Sequence, residues 1–228
     1  MRVLMVGGSP EPSSADTIRC AAAGCDAVVA IDRGLDTVLA AGLACTLFCG
    51  DGDSVSIAGA SAVRGSESRD VDAVPASEAF EVVRYDPHKD ATDLELALDE
   101  VSRRWPDASV RATCMSGGAP DHALAVLGRL AAWSGHIEVW EDAFTQRILK
   151  AGESWHMSGH LNERFTFIPL TLEAVVSERG MRWELDHKRV PLLSDLGVSN
   201  VIDSNDAVIT CHEGTISAWS FKGFFAGA

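Results

Sequence analysis

Lys89-Asp90-Ala91-Thr92-Asp93-Leu94-Glu95-Leu96-Ala97-Leu98 passes from a polar loop into a helix, and the rest of the chain can be read outward from it. Leu94, Ala97, Leu98 and Val101 recur at i, i+3, i+4 and i+7, which makes one apolar stripe on one helix face. Thr92 stands at the N-cap, and Glu95 three residues later completes a Thr-x-x-Glu capping box. Asp93 then falls in the first turn, where the helix dipole favours a carboxylate by ~0.3–1 kcal/mol. It is expected to point away from the stripe, toward the end of the preceding strand. Asp90 lies just before the cap.

On either side of this helix, short β-branched runs alternate with helical patterns, the signature of β-α units on a parallel sheet. Residues 2–6, 27–31, 46–49, 81–85, 109–115 and 137–140 read as strands. Residues 16–23, 37–41 and 121–133 read as helices, the first two stopped by Gly24 and Gly42. Gly7-Gly8-Ser9-Pro10 is a turn. Residues 56–77, rich in Ser, Gly and charge, are expected to form a loop with at most a short strand. Near residues 141–146 the helical periodicity ends. Short alternating runs follow at 147–150, 165–170, 172–177, 181–185, 207–211 and 215–221, a spacing that argues for a small β-sandwich or barrel-like domain. The expected architecture is an α/β N-terminal domain with a mainly parallel sheet over residues 1–142. A smaller all-β, sandwich-like domain follows over residues 143–228, with Trp183 and Trp219 expected among its core aromatics.

Composition narrows the possible partners. Acidic residues outnumber basic ones by 33 to 19, giving a net charge of −14, and no local basic patch reverses that balance. Neither nucleic acid nor an anionic membrane is therefore an expected partner. The apolar start over residues 3–6 is too short for a signal segment, and no run approaches the ~20 residues of a membrane span. The expected address is the cytoplasm. The six cysteines contain no C-x-x-C pair, and several sit in apolar runs, so they are expected to be free thiols acting as small hydrophobes.

Chemistry is suggested by position. Asp32, Asp51 with Asp53, Asp90 with Asp93, and Asp121 all follow expected strands, and in an open parallel sheet those loops gather where ligands bind. Carboxylates crowded on one rim raise one another's proton affinity, so they stay ionised at neutral pH mainly around a cation. An all-oxygen set suits Mg²⁺ holding a polyphosphate. No Gly-x-x-x-x-Gly-Lys-Ser/Thr loop is present. The phosphates must then be gripped by metal, by backbone at Gly50, Gly52, Gly117 and Gly118, and by the cations Arg33 and Lys89. His122, at a helix start, reads as structural.

Six elements, in order, resemble those of the thiamine pyrophosphokinase family. Gly50-Asp51-Gly52-Asp53-Ser54 resembles its G-D-F-D-S element and Lys89-Asp90-Ala91-Thr92-Asp93 its K-D-x-T-D element. Gly117-Gly118-Ala119-Pro120-Asp121-His122 is similar to G-G-R-x-D-H, and Phe167-Ile168-Pro169-Leu170 to the S-L-I-P-L strand. Gly180-Met181-Arg182-Trp183-Glu184-Leu185 resembles G-L-K-W-x-L, and Gly197-Val198-Ser199-Asn200 the late S-N element.

The resemblance implies transfer of diphosphate from ATP to the hydroxyethyl oxygen of thiamine, by a homodimer that holds thiamine between subunits. By position it implies that Asp51, Asp53 and Asp93 hold Mg²⁺, that Asp90, Thr92 and Asp121 line the site, and that Ser199 and Asn200 help form the thiamine pocket. Asp93 and Asp51 are the two candidates to take the hydroxyl proton. The chain departs from the family at Asp32-Arg33-Gly34-Leu35-Asp36, where D-G-G-A-N is usual, and at Ala119, where Arg is common; Arg33 is the expected replacement cation. The alternative readings are a pyrophosphokinase for another heterocyclic alcohol, such as a hydroxymethylpterin, and a thiamine- or nucleotide-binding relative without turnover.

Overall fold

The computed structural model describes residues 1–68, 79–86 and 88–225. The chain divides into two compact units, Met1–Glu141 and Asp142–Ala228.

In the first unit, β1 (Arg2–Val6), β2 (Ala27–Ile31), β3 (Leu47–Gly50), β4 (Glu81–Arg84), β5 (Ser109–Thr113) and β6 (Ile137–Trp140) lie in the order β6-β5-β1-β2-β3-β4. Every pairing among them is parallel. The helices are α1 (Ala15–Ala22), α2 (Gly34–Ala40), α3 (Ile57–Ser68), α4 (Asp93–Arg104) and α5 (Pro120–Ala132). Strand alternation divides the core. Leu4, Val6, Ala30 and Phe48 pack with Ile18 and Ala21 of α1, Leu35 and Val38 of α2 and Val63 of α3. Helix α4 packs on β2 and β3, with Leu94, Ala97, Leu98 and Val101 all buried. Its cap is the expected one: Thr92 Oγ1 accepts the Glu95 N–H at 3.2 Å.

The chain runs from β1 outward through β2, β3 and β4, then returns to β5 on the other flank of β1. The loops after β1 and β5 therefore diverge. Such a reversal leaves a crevice at the carboxyl ends of the strands.

One segment of the first unit differs from expectation. Residues 57–68 form helix α3 where a loop was expected, and 69–77 lie outside the described residues. The buried face of α3 is built from Gly59, Val63, Gly65 and Ser66, which carry almost no apolar periodicity. A Cβ at Gly59 would stand 2.5 Å from Asp36 Oδ1, so small residues here set how closely α3 approaches α2.

In the second unit, β7 (Phe144–Lys150), β8 (Ser154–His156), β9 (Glu163–Pro169), β10 (Glu173–Arg179), β11 (Leu185–Pro191), β12 (Asn200–Val201), β13 (Val208–Glu213) and β14 (Thr215–Phe225) form two antiparallel layers. One runs β12-β9-β14-β7 and the other β11-β10-β13-β8. Phe165, Phe167, Leu149 and Ile216 of the first layer meet Val176, Val190, Ile209 and Trp155 of the second in one apolar core. The expected strand at 181–185 is a corner instead. Gly180 adopts φ +69°, Met181 makes a lone bridge to Ile202, and the strand begins only at Leu185. Alternation hides β11, because Asp186 through Arg189 are all exposed. Trp183, expected in the core, is 61% exposed in that corner, whereas Trp219 is half-buried.

Among the described residues all six cysteines are free, with Cys49, Cys114 and Cys211 buried. No described helix is long and apolar enough to cross a membrane.

Candidate active site

Three strand ends bring their aspartates together. Asp32 follows β2 at φ 47°, Asp51 follows β3, and Asp53 lies two residues on, beyond the positive-φ Gly52. Each of Asp32, Asp51 and Asp53 offers an oxygen within 4.8 Å of the others. Asp93, at the first turn of α4, joins them through Lys89, whose Nζ lies 3.3 Å from Asp51 Oδ2 and 3.1 Å from Asp93 Oδ1.

The local backbone holds the set in place. Asp51 Oδ1 accepts the Asp53 N–H at 3.1 Å, Ser54 Oγ donates to Asp32 Oδ2, and Arg84 Nη1 donates to the Asp51 carbonyl at 2.9 Å. A Cβ on Gly52 would stand 3.1 Å from that guanidinium, so the small residue lets Arg84 lie across the loop.

The charges are mutually dependent. The Asp53 N–H, aided by Lys89, holds the Asp51 carboxyl below the ordinary range, while Asp51 pushes the exposed Asp53 up. Burial raises Asp93 against the opposing pull of Lys89. For Lys89 burial works against the charge, but the ion pairs to Asp93 and Asp51 outweigh it and raise its pKa.

The donor set fits a divalent cation. It is all oxygen, and Asp32 Oδ1 is buried with no hydrogen-bond partner among the described residues. A hard ion such as Mg²⁺ takes carboxylate oxygens of this kind and keeps several waters.

Beside the aspartates lies a cavity of about 320 Å³ at the chain reversal. Asp32 and Asp93 line it with Gly7–Pro10 of the β1 loop, Cys114–Gly117 of the β5 loop, and His122 of α5. Its floor is stitched together by backbone: Gly7 N–H donates to the Thr113 carbonyl (2.9 Å), Ser9 N–H to that of Cys114 (3.2 Å), and Ser9 Oγ to that of Ser116 (2.5 Å). Glu141 fixes the β5 side. Its carboxylate, in a residue only 4% exposed, accepts the N–H groups of Cys114 (3.1 Å), Met115 (2.8 Å) and Ser116 (3.2 Å) and the hydroxyl of Ser13 (2.5 Å). Cys114 has φ 56°, and the converging amides hold that turn.

The other anticipated residues are distributed as follows. Gly117 lines the cavity at φ 100°, and Gly118 (φ 76°) stands beside Pro10. Thr92 is occupied as the cap of α4, and Asp90 is exposed in the loop before it. Asp121 is exposed and accepts the His122 N–H at 2.9 Å, while His122 itself reaches the cavity wall. Arg33 is exposed at the start of α2, outside that wall.

Ser199 and Asn200 belong to the second unit. Ser199 is exposed at φ 62° and donates its N–H to Thr166 Oγ1 at 3.1 Å. Asn200 is buried with its amide fully used: Oδ1 accepts from Trp183 N (3.1 Å) and Val201 N (2.8 Å), and Nδ2 donates to the Trp183 carbonyl (2.8 Å) and Glu178 Oε2 (3.2 Å).

Sequence reasoning passed over the β1 loop and His122. The signal was available, since the rule that placed ligands after β2, β3 and β4 applies equally to β1. Gly7-Gly8 looked like a plain turn only because it carries no charged side chain.

Comparison with known proteins adds to this geometry. Residues 20–140 match the family model for the thiamin pyrophosphokinase catalytic domain, and residues 158–216 that for the thiamin pyrophosphokinase vitamin B1 binding domain. No curated protein sequence matches the chain. Among solved structures, a thiamin pyrophosphokinase family protein from Enterococcus faecalis shares 26% identity, with a TM-score of 0.71 over 98% of this chain and 100% of that one. Thiamine pyrophosphokinase from Bacillus subtilis has a TM-score of 0.77 at 21% identity, again over 98% and 100% of the two chains. The enzyme from Candida albicans has a TM-score of 0.73 at 13% identity, covering 97% of this chain and 90% of that one. Two matched domain models in sequence, on an α/β unit followed by a β-sandwich, lead to one conclusion: the chain belongs to the thiamin pyrophosphokinase family.

Proposed function

We propose that the protein is a Mg²⁺-dependent diphosphotransferase that moves the terminal diphosphate of ATP to the hydroxyethyl oxygen of thiamine, giving thiamine diphosphate and AMP. The observation that carries this reading is the convergence of Asp32, Asp51 and Asp53, with the unpartnered Asp32 Oδ1, beside a cavity at the strand ends. Family membership sets the reaction class.

Asp32, Asp51, Asp53 and Asp93 would hold the metal, which when bound neutralises charge on the phosphate oxygens. The cavity between the β1 and β5 loops takes the nucleotide. There the amides of Gly117 and Gly118 approach phosphate, with Lys89, Asp90, Thr92, Asp121 and Arg33 around it and His122 on the wall. Asp93 or Asp51 accepts or orients the alcohol proton. In a reaction with a loose transition state, positioning and charge neutralisation supply most of the rate.

The second unit contributes the homodimer contact and the thiamine site, with the exposed Ser199 as the group that can meet thiamine and the buried Asn200 fixing the corner behind it. The reading places the enzyme in the cytoplasm, with neither nucleic acid nor membrane as partner. Incubation with ATP, Mg²⁺ and thiamine tests it, with AMP and thiamine diphosphate appearing in equal amounts. AMP release with a hydroxymethylpterin but not with thiamine would reassign the substrate, and ligand binding without AMP would remove the enzyme reading.

A further inference from the structure

The ion pairs of Lys89 carry an inference that rests on this metal reading and adds to it a competitor inside the chain. We propose that Lys89 is a built-in counter-ion, an ammonium that holds Asp51 and Asp93 in the metal-free protein and must give way before a divalent ion can use them. Nζ lies within 3.3 Å of both carboxylates, and the three side chains are only 15%, 11% and 26% exposed. Charges withdrawn from water to this degree interact more strongly than a surface pair.

Lys89 is well placed to move. It lies four residues before Asp93, on the polar loop ahead of the Thr92 cap, so α4 does not fix it. Asp51 is divided between two directions: Oδ1 takes the Asp53 N–H and Oδ2 takes the ammonium. An ion entering among Asp32, Asp51 and Asp53 thus meets a cluster already partly neutralised. The ammonium relieves repulsion among the carboxylates, and metal affinity is lowered in return.

The sign of the effect separates this role from simple support. A supporting lysine would weaken metal binding when removed; a competing one strengthens it. Mn²⁺ titration of nucleotide-free protein, followed by calorimetry and by electron paramagnetic resonance, reads the difference without any turnover. Lys89→Met is expected to bind Mn²⁺ about tenfold more tightly than the native chain at low ionic strength, the scale one nearby charge supplies at a partly solvated site. Lys89→Arg, which keeps the charge, should stay within about twofold. A cooperative thermal transition checks that each variant folds, and Lys89→Gln serves if the Met variant does not.

Equal or weaker Mn²⁺ binding by the neutral variants would overturn the counter-ion role and leave the metal site standing. Saturable binding by none of the chains, native included, would overturn both.

Discussion

The strand-end loops of the first unit and the Asn200 corner of the second treat buried polar groups in opposite ways. In the corner, Asn200 fills all four of its hydrogen-bonding positions with the backbone of Trp183, the amide of Val201 and the carboxyl of Glu178. At the strand ends, Asp32 keeps a buried oxygen without a partner, and Asp51 and Asp93 share the one ammonium of Lys89 beside it. The saturated amide of Asn200 holds the fold, whereas carboxylate oxygens left unsaturated beside a cavity are available to a ligand. Each substitution below tests one side of that contrast.

The largest effect belongs to the unsaturated side. Asp51→Asn and Asp93→Asn should each lower turnover by about 100-fold or more while the melting temperature changes little, since each removes one partner of Lys89 as it relieves repulsion among the carboxylates. Rates near the native value in either variant, measured as AMP formation at saturating ATP, would end the contrast. On the saturated side, Asn200→Ala should destabilise the chain by about 2–4 kcal/mol, because it strands the Trp183 N–H, the Trp183 carbonyl and Glu178 together. Denaturant unfolding reads this directly, and a loss below about 1 kcal/mol would mean that water replaces the amide.

A third effect, graded rather than all-or-none, sharpens the comparison through pH. Glu178 is 1% exposed with Oε1 unpartnered, and burial pushes its pKa up to about 8 despite the Asn200 hydrogen bond. An unfolded glutamate ionises near its ordinary ~4.3, so between about pH 4.5 and 8 the folded chain holds a proton that the unfolded chain has released. Stability from this group is therefore full below that window, falls as pH rises through it, and levels off above about pH 8. Glu178→Gln, which can keep the Asn200 contact, should remove that component. The stability of the variant relative to native should rise with pH at up to about 1.4 kcal/mol per unit across the window. A constant difference from pH 5 to pH 8 would show that Glu178 stays charged in the fold.

Legibility in the sequence followed the size of the side chains. Helix α4 was readable because Leu94, Leu98 and Val101 are large and periodic and Thr92 marks the start. Helix α3 was not, because its buried face is glycine, serine and one valine. In the second unit the alternating strands were visible, but the exposed charged run of β11 and the corner at Trp183 were not, since a sheet edge and a bend leave little pattern. At the candidate site, the aspartates stood out as charged residues after strands. The Gly7–Pro10 wall did not, because it contributes backbone, and the bridge from Lys89 to Asp51, 38 residues away, depends on a fold no local spacing encodes.

Glu141 carries a consequence for how the chain can be divided. As the last residue of the first unit, it supplies the negative charge that three consecutive amides of the β5 turn would otherwise seek from solution. That turn is thus closed to a phosphate, and its shape depends on a residue lying beyond the final strand of the parallel sheet. Any dissection of the protein that ends at Trp140 would keep every strand and helix of the unit yet leave the crevice without its anchor.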